Sequence, residues 1–560
     1  MNTNRPWFDS YPQGVTHQID PNRYDSIVDL LEQSFEKFSD STAFENMNSG
    51  ITYRELDEQS KNFASYLQNE LHLQQGDRIA IQLPNLLQYP IALFGALRAG
   101  LIVVNTNPLY TPRELEHQLN DSGAETIVVL SNFAETIEKV LSKTKVKNII
   151  ITDIGDMFSP LKATLVNFAV KYIKKMVPKT NLPSTINFCK ALKLGKRHSF
   201  NKPILKINDL AFLQYTGGTT GVSKGAMLSH RNIIANMEQN CAWMATKLVE
   251  NKETIITALP LYHIFALTVN CFTFLKYGAK NILITNPRDV PAYCKEIKDK
   301  QFTVMTGVNT LYNHMMNNQH FNAIDFSKLK ISIGGGMALQ EHVAKQWKNI
   351  TKTPLAEGYG LTETSPVVCC NPIDGTERIG TIGLPFPSTD VIIVDDDDKE
   401  VEMGKNGEIL VKGPQVMLGY WNSKEETEKV FFGDWLRTGD IGFMDRKGYI
   451  TLVDRKKEMI NVSGFNVYPN EIEEVITSHP KVLESGVIGI DHPKTNEAVK
   501  AYIVKKDESL TEAEIIEYCK TKLTAYKVPK VIEFAKDLPK SNIGKILRRV
   551  LKERHINNNK

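Results

Sequence analysis

Leu210-Ala211-Phe212-Leu213-Gln214-Tyr215-Thr216-Gly217-Gly218-Thr219-Thr220-Gly221-Val222-Ser223-Lys224-Gly225 passes from an apolar run into a loop of glycines and hydroxyls. The run Leu210 to Leu213 reads as a short strand. Glycine has no Cβ, so the backbone beyond it can approach a ligand closely and adopt φ > 0. Successive N–H groups in such a loop form a concavity for anions. The threonines and Ser223 add hydroxyl donors, and Lys224 adds a cation. The stretch reads as a polyphosphate cradle at the end of a strand. It is not a Walker A loop, which requires Gly-x4-Gly-Lys-Ser/Thr; here Lys224 precedes Gly225 and the glycine spacing differs.

Upstream, Arg78 to Leu83, Ile102 to Val104, Thr126 to Leu130 and Asn148 to Ile151 read as strands, and Gln88 to Leu97 as a helix. Downstream, Thr254 to Leu259, Asn281 to Ile284 and Val304 to Gly307 repeat the β-rich pattern. Strands alternating with helices imply parallel α/β layers, and two wound sheets side by side account for the length. After about residue 380 the texture changes. Gly383-Leu384-Pro385-Phe386-Pro387 is a turn-rich break, followed by short β runs (Val391 to Val394, Glu408 to Val411) that read as a small β-barrel-like unit. Beyond Asp454-Arg455-Lys456-Lys457 lie further strands, Gly486 to Ile490 and Val499 to Val504, and a helix, Thr511 to Lys522. This is enough for a small α+β domain. The expected division is residues 1–453, a linker 454–459, and a domain 460–560.

The chain has 560 residues, 42% hydrophobic and 23% charged, with 67 basic and 64 acidic side chains giving a net charge of +3. That composition is ordinary for a globular protein and gives no argument for nucleic acid as a partner. The basic stretch Lys545 to Lys560 reads as a solvated tail. Seven scattered cysteines without a Cys-x-x-Cys pair indicate neither a zinc site nor a redox motif, and suit a reducing compartment. The polar start shows no signal peptide, and no apolar run reaches the roughly 18 residues of a membrane span. One segment stands out. Leu161, Leu165, Phe168, Tyr172 and Met176 recur at helical spacing with Lys162, Lys171, Lys174 and Lys175 among them. Such a helix lies on an anionic membrane surface or packs on the protein's own core; both readings stand.

More motifs follow the cradle in order. These are Ser332-Ile333-Gly334-Gly335-Gly336-Met337, Glu357-Gly358-Tyr359-Gly360-Leu361-Thr362-Glu363-Thr364, Trp435-Leu436-Arg437-Thr438-Gly439-Asp440, Asp454 to Lys457, Val462 to Glu473, and Leu538-Pro539-Lys540-Ser541-Asn542-Ile543-Gly544-Lys545. With the cradle, they resemble the motifs of the adenylate-forming superfamily, which joins carboxylic acids to AMP. Pro84 to Pro90, Asn107 to Leu115 and Gly433 to Glu473 narrow the resemblance to the bacterial long-chain acyl-CoA synthetases. The likeness covers essentially the whole chain, and no motif position departs from the pattern.

The resemblance implies an α/β fold: a large N-terminal domain of two wound sheets and the barrel-like unit, then a small mobile α+β domain. It implies ATP binding by Thr216, Gly217, Gly218, Thr219, Thr220, Gly221 and Lys224. Gly335 and Gly336 would border the adenine and acyl pocket, although a plain tight turn would use the same glycines. Tyr359 would pack on adenine with Gly360 beside it, Thr362 would reach the α-phosphate, and Glu363 would hold Mg²⁺, a cation that takes oxygen ligands, with Thr216 sharing the metal or phosphate site. Asp440 would accept both ribose hydroxyls, as two carboxylate oxygens allow. Arg455 would contact ribose or phosphate, Lys457 would be the hinge, and Lys545 would bridge substrate carboxylate and α-phosphate as charge develops. Gly464, in a segment of the pantetheine tunnel, and His263, in the apolar segment Leu259 to Leu267, would meet CoA or the acyl group. As a lone histidine, His263 reads equally as a packed structural residue, and Gly464 as a turn glycine. The apolar surroundings of His263 favour a hydrocarbon chain over an amino acid, for which no buried Asp partner is identifiable.

The implied reaction has two steps: a long-chain fatty acid and ATP give acyl-AMP and pyrophosphate, and the CoA thiol then gives acyl-CoA and AMP. The resemblance also implies acyl-CoA feeding β-oxidation and lipid synthesis, a cytoplasmic location with peripheral association to the inner membrane, and homodimerisation. Three other readings share parts of this pattern. An acyl-AMP ligase would carry an extra block before residue 454, and none is evident. A luciferase-like oxygenase would consume oxygen. A non-catalytic fatty-acid binder would not need Lys545, Glu363 and Asp440.

Overall fold

The structure is a computed structural model that describes residues 5–216, 223–541 and 543–558. Two large sheets dominate it. One has seven strands in the order Thr185–Asn187, Asn148–Thr152, Thr126–Leu130, Arg78–Gln82, Ile102–Asn105, Leu210–Thr216 and Lys224–Ser229. Its pairs are parallel except the last, which is antiparallel. The other has nine, in the order Leu384–Pro385, Val367–Cys370, Leu355–Gly360, Ile331–Gly335, Val304–Gly307, Thr254–Thr257, Lys280–Leu283, Thr42–Asn46 and Ser49–Thr52. Its middle is parallel and both ends turn antiparallel. Parallel strands are covered on both faces and so read as near-continuous apolar runs; all five residues of Thr126–Leu130 are buried.

Helix Gln88–Arg98 is buried at every position, as expected for a helix that is apolar on all sides. The segment leading into it joins the sheets. Asn85 Nδ2 donates to the carbonyls of Thr257 (2.9 Å) and Leu259 (3.0 Å). The Tyr89 hydroxyl lies 2.8 Å from both Asn105 Oδ1 and the Leu261 carbonyl. Each sheet is thereby fixed to the other, and the strand ends that carry the site are held in register.

Strands Asp390–Val394, Gly407–Lys412, Trp435–Met444, Phe431–Phe432 and Ile450–Arg455 form a five-stranded antiparallel sheet. One continuous apolar core runs from Trp7 to Ile450, while the cores of the last part of the chain contain only residues from Ile460 onward. That last part is a sheet ordered Phe465–Val467, Ile460–Val462, Asn496–Lys505, Val482–His492, with Val531–Phe534 parallel to Asn496–Lys505, and helices Pro469–Thr477, Glu512–Lys520 and Arg548–Asn558; the last lies in the stretch expected to be a solvated tail, and its Leu551 is buried in a core cluster.

The segment around residue 165 is helical, as its spacing predicts: α-helix over Pro160–Phe168, continued with wider π-type turns over Ala169–Ile173. The helix packs on the core only through the partly buried Ala163 and Val166; none of its residues is fully buried, and the apolar stripe faces away from the core. Leu161, Leu165, Phe168, Tyr172 and Met176 are 53 to 75% exposed, and Ile173 joins them. The opposite side is fastened through polar groups. Asn167 Oδ1 accepts from the Gly155 N–H at 2.8 Å, its Nδ2 donates to Asp156 Oδ1 at 3.1 Å, and Lys162 Nζ donates to Ser49 Oγ at 3.0 Å. Among the described residues no helix is long and apolar enough to cross a membrane.

Candidate active site

A cleft opens between the large domain and the last part of the chain. Gly336, Tyr359, Gly360, Asp440, Arg455 and Lys545, which are spread over more than 200 residues of sequence, all line it. Its centre is set by strand register. Asp440 lies in strand Trp435–Met444 directly opposite Arg455 in Ile450–Arg455. This places Arg455 Nε 3.3 Å from Asp440 Oδ1. A turn-type Asp after Gly439 would face solvent; here Gly439 takes φ 71° within the strand and Asp440 is 3% exposed. The Tyr359 hydroxyl donates to Asp440 Oδ2 at 2.6 Å. Burial, and then the Asp440 carboxylate, raise the Tyr359 pKa well above its ordinary value, so the phenol stays a donor. Burial works against the Arg455 charge, but Asp440, Glu458, Tyr359 and Glu363 more than offset it and raise its pKa.

Lys545 arrives from the other side. The last domain docks on helix Asn309–Met316 and the Gln340–Glu341 segment. Thr310 Oγ1 donates to the Gly544 carbonyl (3.1 Å), Asn313 Nδ2 to the Leu483 carbonyl (3.0 Å) and Gln340 Nε2 to Thr477 Oγ1 (2.8 Å). The Glu341 N–H donates to Glu474 Oε1 at 3.0 Å. A Cβ on Gly336 would sit 3.3 Å from Ile543 Cδ1, so the glycine lets the Lys545 loop settle onto the sheet. Lys545 is half-buried, and its pKa falls to about 8, first through burial and then through the nearby Arg455 guanidinium, with Glu458 and Asp440 opposing. Two cations in a partly desolvated cleft disfavour each other, and an anionic ligand between them relieves that repulsion.

Around the cradle, strand Leu210–Thr216 extends further than the apolar run suggested and sets Thr216 opposite Lys224. Gly217, Gly218, Thr219, Thr220 and Gly221 lie outside the described residues. The turn Thr362–Thr364 packs against both flanking strands. Tyr420 donates to Glu363 Oε1 at 2.6 Å. Lys224 lies over the Tyr420 ring, 5.0 Å from its centroid, and pairs with Glu426. Tyr420 and Glu426 escaped the sequence reading, because the pairing of Tyr420 with Glu363 spans 57 residues; the aromatic pair Tyr420-Trp421 after Gly419 was the available signal.

Among the described residues, eight of those expected do not line the cleft: Thr216, Lys224, Thr362 and Glu363 gather around the cradle, and Gly335, His263, Lys457 and Gly464 lie elsewhere. Gly335 is beneath the cleft, where a Cβ would meet the Phe265 ring at 2.9 Å. The Phe265 N–H donates to His263 Nδ1 at 3.3 Å, and burial lowers the His263 pKa to about 4, leaving a neutral imidazole at the start of a helical segment. Lys457 occupies an exposed turn between Ile450–Arg455 and Ile460–Val462, and Gly464, at φ 86°, is exposed at a second turn.

Residues 31–421 match the AMP-binding enzyme family and residues 471–545 the AMP-binding enzyme C-terminal domain. The chain belongs to the AMP-binding enzyme family. This family member is 56% identical over 547 residues to the long-chain-fatty-acid–CoA ligase of Escherichia coli O157:H7, covering 98% of each chain. It also resembles the solved structure of the anthranilate CoA ligase AuaEII in complex with anthranoyl-AMP (TM-score 0.85, 25% identity, 96% of this chain and 99% of that one). A third likeness is to ATP-bound MatB from Rhodopseudomonas palustris (TM-score 0.80, 28% identity, 94% and 99%).

The buried Tyr359–Asp440 hydrogen bond predicts that Tyr359→Phe destabilises the large domain by about 1–3 kcal/mol, since a buried carboxylate oxygen loses its donor. Urea denaturation measures this, and an unchanged midpoint would contradict the assigned bond.

Proposed function

We propose that this protein is a long-chain fatty acid–CoA ligase that forms acyl-AMP in the cleft between its two domains and then passes the acyl group to CoA. The observation that carries this reading is the meeting of Lys545 with Arg455 and Asp440. A fatty acid carboxylate is a poor acyl donor. One of its oxygens attacks the α-phosphorus of ATP, the bond to the bridging oxygen breaks, and pyrophosphate leaves. Asp440 accepts from the ribose hydroxyls, Tyr359 flanks the adenine, and Arg455 and Lys545 face the charge that develops on the α-phosphate oxygens. Cations fixed in a partly dehydrated site act there with little reorganisation. Thr216 and Lys224 hold the outer phosphates with the cradle.

The residues present fit Mg²⁺. Glu363 and Thr216 offer hard oxygen donors, and among the described residues no group of three or more His, Cys, Asp or Glu converges on one point. This suits an ion that keeps most of its ligands from phosphate and water. When bound, it would neutralise phosphate charge.

For the second step the CoA thiol sulfur bonds to the acyl carbonyl carbon and AMP departs. Lys545 lines the cleft in the present pose, and on this reading the small domain turns to admit the thiol. The exposed turn at Lys457, between two domains with separate cores, is the hinge of this reading. The turn would bring Gly464 from solvent to the cleft. Phe265 beneath Gly335 marks the acyl side, and His263 acts there as a neutral group.

We infer further that the protein associates peripherally with an anionic membrane. Its exposed stripe of Leu161, Leu165, Phe168, Tyr172 and Met176 with lysines beside it supports this, since such helices bury the apolar face at the headgroup boundary while lysines meet anionic lipid.

Pyrophosphate release with ATP, Mg²⁺ and acids from acetate to oleate, each with and without CoA, tests the reaction. Turnover that peaks with long chains and requires CoA is expected; a single stoichiometric release indifferent to CoA would overturn it. Replacing Lys171, Lys174 and Lys175 together by Glu should weaken sedimentation with anionic liposomes by about a hundredfold or more, at about 1 kcal/mol per basic residue near the surface. Unchanged sedimentation would reject the membrane reading.

A further inference from the structure

Asp454 is the penultimate residue of strand Ile450–Arg455 and stands on the large-domain side of the Lys457 turn. Its side chain is 1% exposed. Both carboxylate oxygens reach across the turn. Oδ2 accepts the backbone N–H of Asn470 at 2.9 Å. Oδ1 accepts Arg548 Nη1 at 3.2 Å, together with the N–H of its own neighbour Arg455 at 2.7 Å.

Asn470 is the second residue of helix Pro469–Thr477, whose own N-cap residue, Tyr468, makes no side-chain capping bond. The first amides of a helix lack intrahelical acceptors and carry partial positive charge. Asp454 supplies the missing cap from the far side of the hinge. The same helix presents Glu474 and Thr477 to Glu341 and Gln340 of the large domain. The element that Asp454 caps is therefore one that docks the small domain.

Arg548, three residues after Lys545, has further partners. Glu473 takes its Nε at 2.9 Å and its Nη2 at 2.7 Å, and Glu458 and Asn470 complete the set. Arg548, Glu458, Asn470 and Glu473 all follow Lys457 in the chain, and Asp454 alone of this cluster precedes it. A turn of the small domain about Lys457 carries four members together and leaves Asp454 behind. Breaking a buried ion pair is costly when it strands a charge. Here Arg548 keeps Glu458 and Glu473, so release strands no cation, and the contact can open and close.

We propose that Asp454 is the latch of the adenylate-forming pose: a positioning residue that holds the small domain, and with it Lys545, against the cleft by capping helix Pro469–Thr477 and pairing Arg548, and that lets go when the domain turns. The proposal rests on the two-step, hinged reading given above. Asp454 touches no reacting atom in it; it sets how often Lys545 is in place.

Full-length Asp454→Ala and Asp454→Asn, beside the parent protein, test this. Acyl-AMP formation is measured without CoA, and thioester formation separately from supplied acyl-AMP and CoA. Asp454→Ala should slow adenylate formation by about tenfold or more through a shifted population of poses, and leave transfer from supplied acyl-AMP unchanged or faster. Asp454→Asn, which keeps an oxygen acceptor but loses the charge, should show the same split to a smaller degree, and it decides the matter should the alanine variant not fold. Equal losses in both half-reactions by a variant that melts like the parent would overturn the latch, as would no change in either. A parent protein that makes no acyl-AMP, or does not pass it to CoA, would instead remove the underlying two-step reading.

Discussion

Arg455 and Lys545 are both drawn into one half-buried cleft, and the electrostatics of the site follow from that crowding. Each cation loses water there. Arg455 is compensated by Asp440, its neighbour in strand register, and keeps its charge. For Lys545, burial and the Arg455 charge outweigh the help of Glu458 and Asp440, and its pKa falls to about 8. On the proposed reading, a nucleotide phosphate and a substrate carboxylate would complete the balance that the protein leaves open. The site is thus built to be most comfortable when occupied by anions, which is the property an adenylate-forming centre needs.

The placement of these charges depends on two scaffolds of different kinds. The large domain fixes Tyr359 in its nine-stranded sheet and Asp440 and Arg455 in its five-stranded one, over a main core to which both sheets contribute, with Asn85 and Tyr89 joining the two big sheets behind them. The small domain brings Lys545 on a separate core, through a limited set of polar contacts along helix Asn309–Met316 and the Gln340–Glu341 segment. Polar contacts that water can replace suit an interface that opens during a reaction cycle. An extended apolar interface would hold the domains together.

Much of this was legible in the sequence because local pattern and global fold agree. Thr126–Leu130 and Val304–Gly307 are the strands that their apolar runs announce, and the motif order places Lys545, Asp440 and Tyr359 in one cleft. The misses share a physical cause. The helix Pro160–Phe168 has the spacing of a core-facing helix, and periodicity alone cannot say whether protein or another phase covers the apolar stripe; the answer depended on neighbours such as Asn167 and Lys162 that hold its polar side. Tyr420, Glu426, Asp454 and Arg548 act through partners far away in the chain or across a turn. Their roles come from tertiary pairing, which no local pattern reports.

On the proposed reading Lys545, carried by the small domain, serves adenylate formation and not thioester formation. Lys545→Ala should reduce acyl-AMP formation by about 10²–10³ or more, the scale of losing a fixed charge aimed at the transition state, while transfer from supplied acyl-AMP to CoA continues at the parent rate. Equal loss of both half-reactions, or intact adenylate formation, would contradict the account.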